Sequence, residues 1–276
     1  MWRYSASQGA HPRPLTRSPL VQHITLEREE GILVVTLSRG KANALHCEMV
    51  DELQQALNHA AADDRTHGVV ITSATSKMFC SGFDVEQVFG YAPDRLTRYM
   101  ERFIRLFDTL RHLPKPTVAG INGHSYAGGS ILALACDQRI MAEGDFQFAL
   151  NEVTLGVVLP ARVVQAMAAV VPGPTARQMF LEGHAWRARE AQEHGIVEEL
   201  VPPASVRHRA LTIARQLASK PPRAFAAHKR ALVEAGGGPA YTPPEVEAMA
   251  AEFSAVWFAE ECQCYRDLLV ARLQTK

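Results

Sequence analysis

An α/β fold with parallel strand pairing is what this sequence predicts, and three observations carry it. Short β-branched runs alternate with segments of helical period. No stretch of 20–50 residues repeats in the sequence itself, so an array of sequence repeats is excluded. Convincing strands stop near Val201, beyond which only Ala-rich helical stretches follow. The chain has 276 residues and 47% apolar composition, which suits one larger core with at most a short satellite.

The elements follow in order. Residues 1–21 carry Arg3, Arg13 and Arg17, several Ser and Thr, and no acid. They read as a disordered extension, since Pro12, Pro14 and Pro19 interrupt any amphipathic targeting helix. A core is expected over 22–204 and a C-terminal helical region over 205–276. Ile32-Leu33-Val34-Val35-Thr36-Leu37 reads as a buried strand ended by Ser38-Arg39-Gly40. Met49, Leu53, Ala56, Leu57 and Ala60 recur at helical spacing. Val69-Val70-Ile71-Thr72 is a second strand. Leu96, Met100, Phe103, Phe107 and Leu110 form the stripe of a long helix. Thr117-Val118-Ala119-Gly120-Ile121 runs into a glycine-rich turn, Gly123 to Gly129, and a small-residue helix, Ser130 to Cys136. In the last stretch, Met249, Phe253, Trp257, Tyr265, Leu269 and Leu273 fall near one face. That face must pack on its own domain or on another subunit.

Composition removes several function classes. Lys plus Arg equals Asp plus Glu, 29 each, which argues against nucleic acid as the main partner. No apolar run approaches the roughly 18–20 residues of a membrane span. Five scattered cysteines argue against a disulfide framework and for a reducing, cytoplasmic setting. The eleven histidines show no metal-binding spacing, and Cys262 and Cys264 point apart on a helix, so no metal is assigned.

The glycine-rich turn lacks the spacings of a nucleotide loop. Ser125 within it faintly resembles a nucleophile elbow, with no acid or histidine fixed beside it. A sharper reading combines two turns. Lys77-Met78-Phe79-Cys80-Ser81-Gly82-Phe83-Asp84 and Gly123 to Gly129 each follow a strand. Glycine turns leave backbone N–H groups unpaired, and a helix start adds partial positive charge. Brought together, two such turns make an oxyanion hole, with Gly82 and Gly128 letting a substrate oxygen approach the main chain.

Five segments together resemble the crotonase, or enoyl-CoA hydratase/isomerase, superfamily: Leu37 to Leu45 (with Gly40-Lys41-Ala42-Asn43-Ala44-Leu45), Phe79 to Asp84, Asn122-Gly123 through Gly129, Ala135-Cys136-Asp137-Gln138-Arg139-Ile140-Met141-Ala142, and Leu150-Asn151-Glu152-Val153-Thr154-Leu155-Gly156. The resemblance runs from about Ile24 to the C-terminus. It implies a spiral of repeated ββα turns, then a C-terminal helical region that drives assembly to a homotrimer or hexamer. It implies an acyl-thioester substrate and no separate cofactor, CoA or phosphopantetheine being part of the substrate. It places the two oxyanion N–H groups on Phe83 and Gly128, with Lys41, Ala42, Ser81, Gly82, Asp84, Ile131 and Trp257 as substrate contacts.

Hydratases of the family carry two glutamates. Here the first position is Ile131 and the second is Glu152. Water addition wants two carboxylates, whereas a double-bond shift wants one base that removes a proton and returns it elsewhere. The pattern is closest to the family's single-glutamate isomerases, with Glu152 as base and then acid. A decarboxylase, a hydratase and a non-catalytic assembly subunit are the rival readings. Many members carry a lysine two residues after the motif aspartate; here that residue is Glu86. An acyl-carrier-protein substrate, as in polyketide-type biosynthesis, therefore stands beside the CoA thioesters of fatty acid metabolism. Lys41, Arg272 and Lys276 are the candidate phosphate contacts. His124 and Tyr126 read as loop packing.

Overall fold

A computed structural model describes residues 22–265 and 267. The 1–21 extension, Leu269, Arg272, Leu273 and Lys276 lie outside the described residues.

The chain opens with an antiparallel hairpin, β1 (Ile24–Glu29) and β2 (Ile32–Leu37), followed by helix α1 (Cys47–Ala62). A stacked pattern then repeats. Strand β3 (Gly68–Ser73) leads to the short β4 (Met78–Cys80), the single turn α2 (Val85–Val88) and the long α3 (Pro93–His112). Strand β5 (Thr117–Ile121) leads to β6 (His124–Tyr126) and α4 (Gly128–Leu134). Strand β7 (Gln138–Ala142) leads to β8 (Gln147–Ala149), a 3₁₀ turn at Glu152–Leu155, α5 (Ala161–Ala168), α6 (Gly173–Arg177) and a π-helical turn at Gln178–Glu182. Then come β9 (Ala185–Arg187), α7 (Ala188–Glu193), β10 (Glu199–Val201), α8 (Val206–Ala218), α9 (Pro222–Gly237) and α10 (Pro243–Trp257).

Each ββα turn contributes its first strand to one sheet and its second to another. The larger sheet has the order β1-β2-β3-β5-β7-β10, parallel throughout except for the opening hairpin. The smaller has the order β4-β6-β8-β9, with β8 and β9 antiparallel. This is the expected spiral. Strands buried on both faces read as continuous apolar runs, as Val34, Val70, Val118 and Ile140 do on one face and Leu33, Val35, Val69 and Ile71 on the other.

The helical region after 204 is not a detached tail. Helix α8 lays Val206, Ala210, Leu211 and Ala214 on Val34, Val70 and Val118, so the boundary at 204/205 cuts through a packed layer. Helix α10 packs along α3 of the same chain, and Ser254 Oγ donates to Pro93 O. Phe253 and Trp257 are both buried there, stacked 5.8 Å apart. The helix expected as one piece from Glu245 ends at Trp257 and resumes at 260.

Helix α9 is bolted to the sheet by a buried cation. Lys229 Nζ donates to Asp137 Oδ2 at 2.9 Å, Lys115 O at 3.1 Å and Thr117 Oγ1 at 3.3 Å. Replacing Lys229 by Met removes three charge-assisted bonds and leaves Asp137 with Thr117 alone. The expected cost is roughly 2–4 kcal/mol, read as a lower urea midpoint with unchanged m-value.

Candidate active site

The first half of the site is backbone. Loop 39–45 lies against the turn 79–84 through an isolated parallel bridge between Leu45 and Phe83. Leu45 N–H donates to Gly82 O at 2.7 Å, and Asp84 N–H donates to Leu45 O at 2.9 Å. In a parallel bridge of this kind Leu45 uses both its groups on the flanking residues, so the N–H of Phe83 points to the opposite side. That side holds the start of α4. A Cβ on Gly82 would come within 3.0 Å of Gly128 N and 2.8 Å of the Ala127 methyl. Gly82 also has φ +91°, open to glycine at no steric cost. Among the described residues, neither Phe83 N–H nor Gly128 N–H donates to a protein group. The two N–H groups are free donors on adjacent turns, the second at a helix start.

Ala127, the residue before Gly128, has φ +46° and ψ −123°. For an alanine this conformation costs on the order of 1–3 kcal/mol and persists only where the surroundings impose it. Its N–H donates to Ala149 O at 3.0 Å, holding the turn to the end of β8.

The second half is Glu152. Strands β6 and β8 run parallel and pair Tyr126 with Ala149. Gly128 and Glu152 follow those partners by two and three residues, so they leave the sheet at the same edge. Glu152 is 8% exposed, and its Oε2 has no partner among the described residues. Desolvation pushes its carboxyl up to about 7. Ile131, one turn into α4, is buried and supplies no second carboxylate. A lone buried carboxyl that titrates near neutrality can take and return a proton.

The remaining expected residues divide. Ala42 and Ser81 face each other across the loop pair, Ser81 N–H donating to Ala42 O at 3.0 Å, with Lys41 exposed beside them. Asp84, expected among the substrate contacts, turns its carboxylate inward. It caps α2 by accepting from Gln87 N and pairs with Arg39. Trp257 stacks on Phe89 at 5.2 Å, and Phe253 meets the Phe83 ring at 6.4 Å, so α10 presents an aromatic wall to the oxyanion turn. Glu86 is exposed on α2. Ser125 is buried against Ser130 Oγ, with no histidine or acid among its described partners. His124 Nδ1 accepts from Gln147 N, and Tyr126 donates to Gln147 Oε1, as packing would have it. Burial pushes the Cys80 thiol, beneath the turn, up to about 12, which leaves it protonated and inert.

Two residues of the site were missed from sequence. Asn43 is fully buried and ties the 39–45 loop to the ends of β3 and β4 through Ser73 Oγ and Phe79 O. Its φ of +48° is a conformation that asparagine tolerates, and its place inside the 37–45 motif was the available signal. Arg39 stands inside that motif, which runs from Leu37 to Leu45, and pairs with Asp84, the last residue of the 79–84 motif. Apart from this region, a mostly apolar cavity of about 650 Å³ opens between Leu134, Ala166, Phe225 and Val233. It contains none of the expected site residues.

Comparison with known proteins places these features. The family description "Enoyl-CoA hydratase/isomerase" matches residues 27–253. Carnitinyl-CoA dehydratase of Escherichia coli strain K12 is 32% identical over 209 residues, 75% of this chain and 79% of its own length. Short-chain-enoyl-CoA hydratase of Clostridium acetobutylicum is 29% identical over 213 residues, 77% of this chain and 81% of its own. The crystal structure of human mitochondrial delta3-delta2-enoyl-CoA isomerase superimposes with a TM-score of 0.87 at 25% identity, covering 92% of this chain and 99% of that one.

The raised carboxyl of Glu152 has a thermodynamic signature. A group whose folded pKa lies above its unfolded value stabilises fully below the unfolded value, here 4.5, and that stability is lost as pH rises through about 7. Glu152→Gln imitates the protonated form. Its stability should match the wild type near pH 4 and exceed it at pH 8 by roughly 3 kcal/mol. Urea midpoints across that range check this, and a pH-independent difference would count against a desolvated carboxylate.

Proposed function

The chain belongs to the enoyl-CoA hydratase/isomerase family, and from that premise we propose that it shifts the double bond of a 3-enoyl thioester to the 2 position. The observation that carries the reading is the buried carboxyl of Glu152, with Oε2 unpartnered among the described residues, together with a buried isoleucine, Ile131, at the position where the family's hydratases have their second glutamate. The likeness to the human isomerase supports it.

In this reading the thioester oxygen accepts from Phe83 N–H and Gly128 N–H. Glu152 removes a proton from C2. The C–H electron pair enters the conjugated system, and the charge of the dienolate settles on the oxygen held in the hole. The double bond moves from C3–C4 to C2–C3 as the protonated Glu152 delivers its proton to C4. No water enters the balance, and the apolar surroundings of Ile131 keep it from competing. The substrate is an acyl-CoA, with the same acyl group on a carrier protein's phosphopantetheine as the alternative that Glu86 raises.

A hydratase or dehydratase is the second reading, because the curated relatives carry those names. Purified protein given 3-enoyl and 2-enoyl thioesters, each on CoA and on carrier protein, separates the two. Isomerisation without hydration is expected. Hydration at a comparable rate would overturn the assignment.

Two variants probe the chemistry. Since the base works deprotonated, kcat/KM should fall on the acid side of about pH 7, and Glu152→Gln should lose isomerisation by about 10²-fold or more while folding normally. A variant that keeps above about a tenth of the rate would remove Glu152 from the role. Ile131→Glu should gain measurable hydration of 2-enoyl thioesters and melt at lower temperature, because it buries a second carboxyl without a partner. A folded Ile131→Glu that hydrates nothing would assign the choice of reaction to pocket shape.

A further inference from the structure

We propose that Arg39 is a positioning residue for the oxyanion hole, acting through the Ala44–Leu45 peptide and Asp84 to fix the direction of the Phe83 N–H. The inference rests on the oxyanion reading above and adds the device that holds it in place.

Phe83 is one residue from the end of its turn, and an N–H at such a place can swing with the peptide plane. What restrains it is the pairing on both sides: Gly82 O, in the same peptide plane, accepts from Leu45 N–H at 2.7 Å, and the residue that follows Phe83 is held as well. Asp84 is tied three ways: its N–H to Leu45 O, one carboxylate oxygen to Gln87 N at 3.1 Å, and the other to Arg39. Arg39 spans the joint. One guanidinium nitrogen donates to Asp84 Oδ2 and the other to Ala44 O at 2.9 Å. Ala44 precedes Leu45, the residue bridged to Phe83. The guanidinium therefore closes a ring that runs from Asp84 through Leu45 and Ala44 and back to Asp84. A planar two-nitrogen fork suits this bridging task, which one lysine ammonium fills less well.

Arg39 is itself held. Its backbone N–H donates to Asn43 Oδ1 at 2.8 Å, and its carbonyl accepts from Asn43 N at 3.0 Å. Asn43 is anchored in turn on Ser73 and Phe79. The other side-chain restraint on the bridge is neutral, Tyr99 donating its hydroxyl to Leu45 O at 2.9 Å. The Arg39 side chain is 27% exposed and Asp84 13%. The pair sits at the edge of the site, where neither group need touch the reacting carbons.

Arg39→Gln keeps a hydrogen-bonding side chain and removes the charged fork. Expected is a fall in kcat of about tenfold, less than the 10²–10³ of deleting an oxyanion donor outright, with KM within about threefold and the acid limb near pH 7 unmoved. Asp84→Asn should behave alike, and the double variant should be no worse than either single one, because the two act as a unit. Arg39→Lys should recover part of the loss. A KM that rises about tenfold at unchanged kcat would overturn the proposal and make Arg39 a direct substrate contact.

A readout without turnover keeps this separate from the choice of reaction. Acetoacetyl-CoA, a 3-ketoacyl thioester, absorbs in the near ultraviolet when its enolate is held. The wild type should raise the enolate fraction on binding, and Arg39→Gln should lower that enolate-to-keto ratio by about tenfold while total affinity stays within about threefold. An undiminished enolate signal in Arg39→Gln overturns the proposal alone. No enolate signal in the wild type overturns the oxyanion reading and the proposal with it. Should Arg39→Gln fail to fold, the same titration on Asp84→Asn and Arg39→Lys decides.

Discussion

The candidate site depends on how closely two stretches of main chain approach, the turn at Gly82 and the turn at Gly128. A side chain at Gly82 would press on the Ala127 methyl and on Gly128 N itself, and one at Gly128 would press on the Phe83 ring and Leu45 at about 3.2 Å. Backbone packed against backbone brings the two main-chain N–H donors onto adjacent turns. The rest of the architecture keeps it so. Strands β4, β6 and β8 pair in parallel register beneath the turns, and the strained Ala127 is held from outside by Ala149.

That constraint explains what could be read in the sequence. The long helices α1 and α3 and the strands β2, β3 and β5 announce themselves by period and β-branching, and the glycines of the two turns announce a close approach. The three-residue strands β4, β6, β8 and β9 are too short to have a period, and pairing alone defines them. Helix α8 read as part of a separate region because amphipathicity shows that a face is buried without showing on what; its partner strands come from much earlier in the chain. Trp257 posed the same problem. Its burial was legible, but its stack on Phe89 depends on how α10 turns back along α3.

Among the site residues, Glu152, Phe83 and Gly128 were placed by motif, and the structure brings their segments to one sheet edge. Asp84 shows the limit of motif reading. An aspartate beside an oxyanion donor invites a role toward substrate; here each of its carboxylate oxygens accepts one bond within the protein, from Gln87 N and from Arg39. Which partner a charged side chain selects depends on the fold around it, and Arg39 is separated from Asp84 by 45 residues.

The two halves of the site share one physical cause. Shielding from water raises the Glu152 carboxyl toward neutrality, because an ion there has no solvent and no partner for Oε2. The same shielding strengthens any bond from the Phe83 and Gly128 N–H groups to a developing negative oxygen. Phe83, Phe253, Trp257 and Phe89 form a continuous aromatic run from the oxyanion turn out to α2, with α10 contributing the middle two. The C-terminal helix is thereby part of the site's dielectric boundary. Its packing on its own α3 joins the helical region to the chemistry within a single chain, whatever assembly its outer face supports.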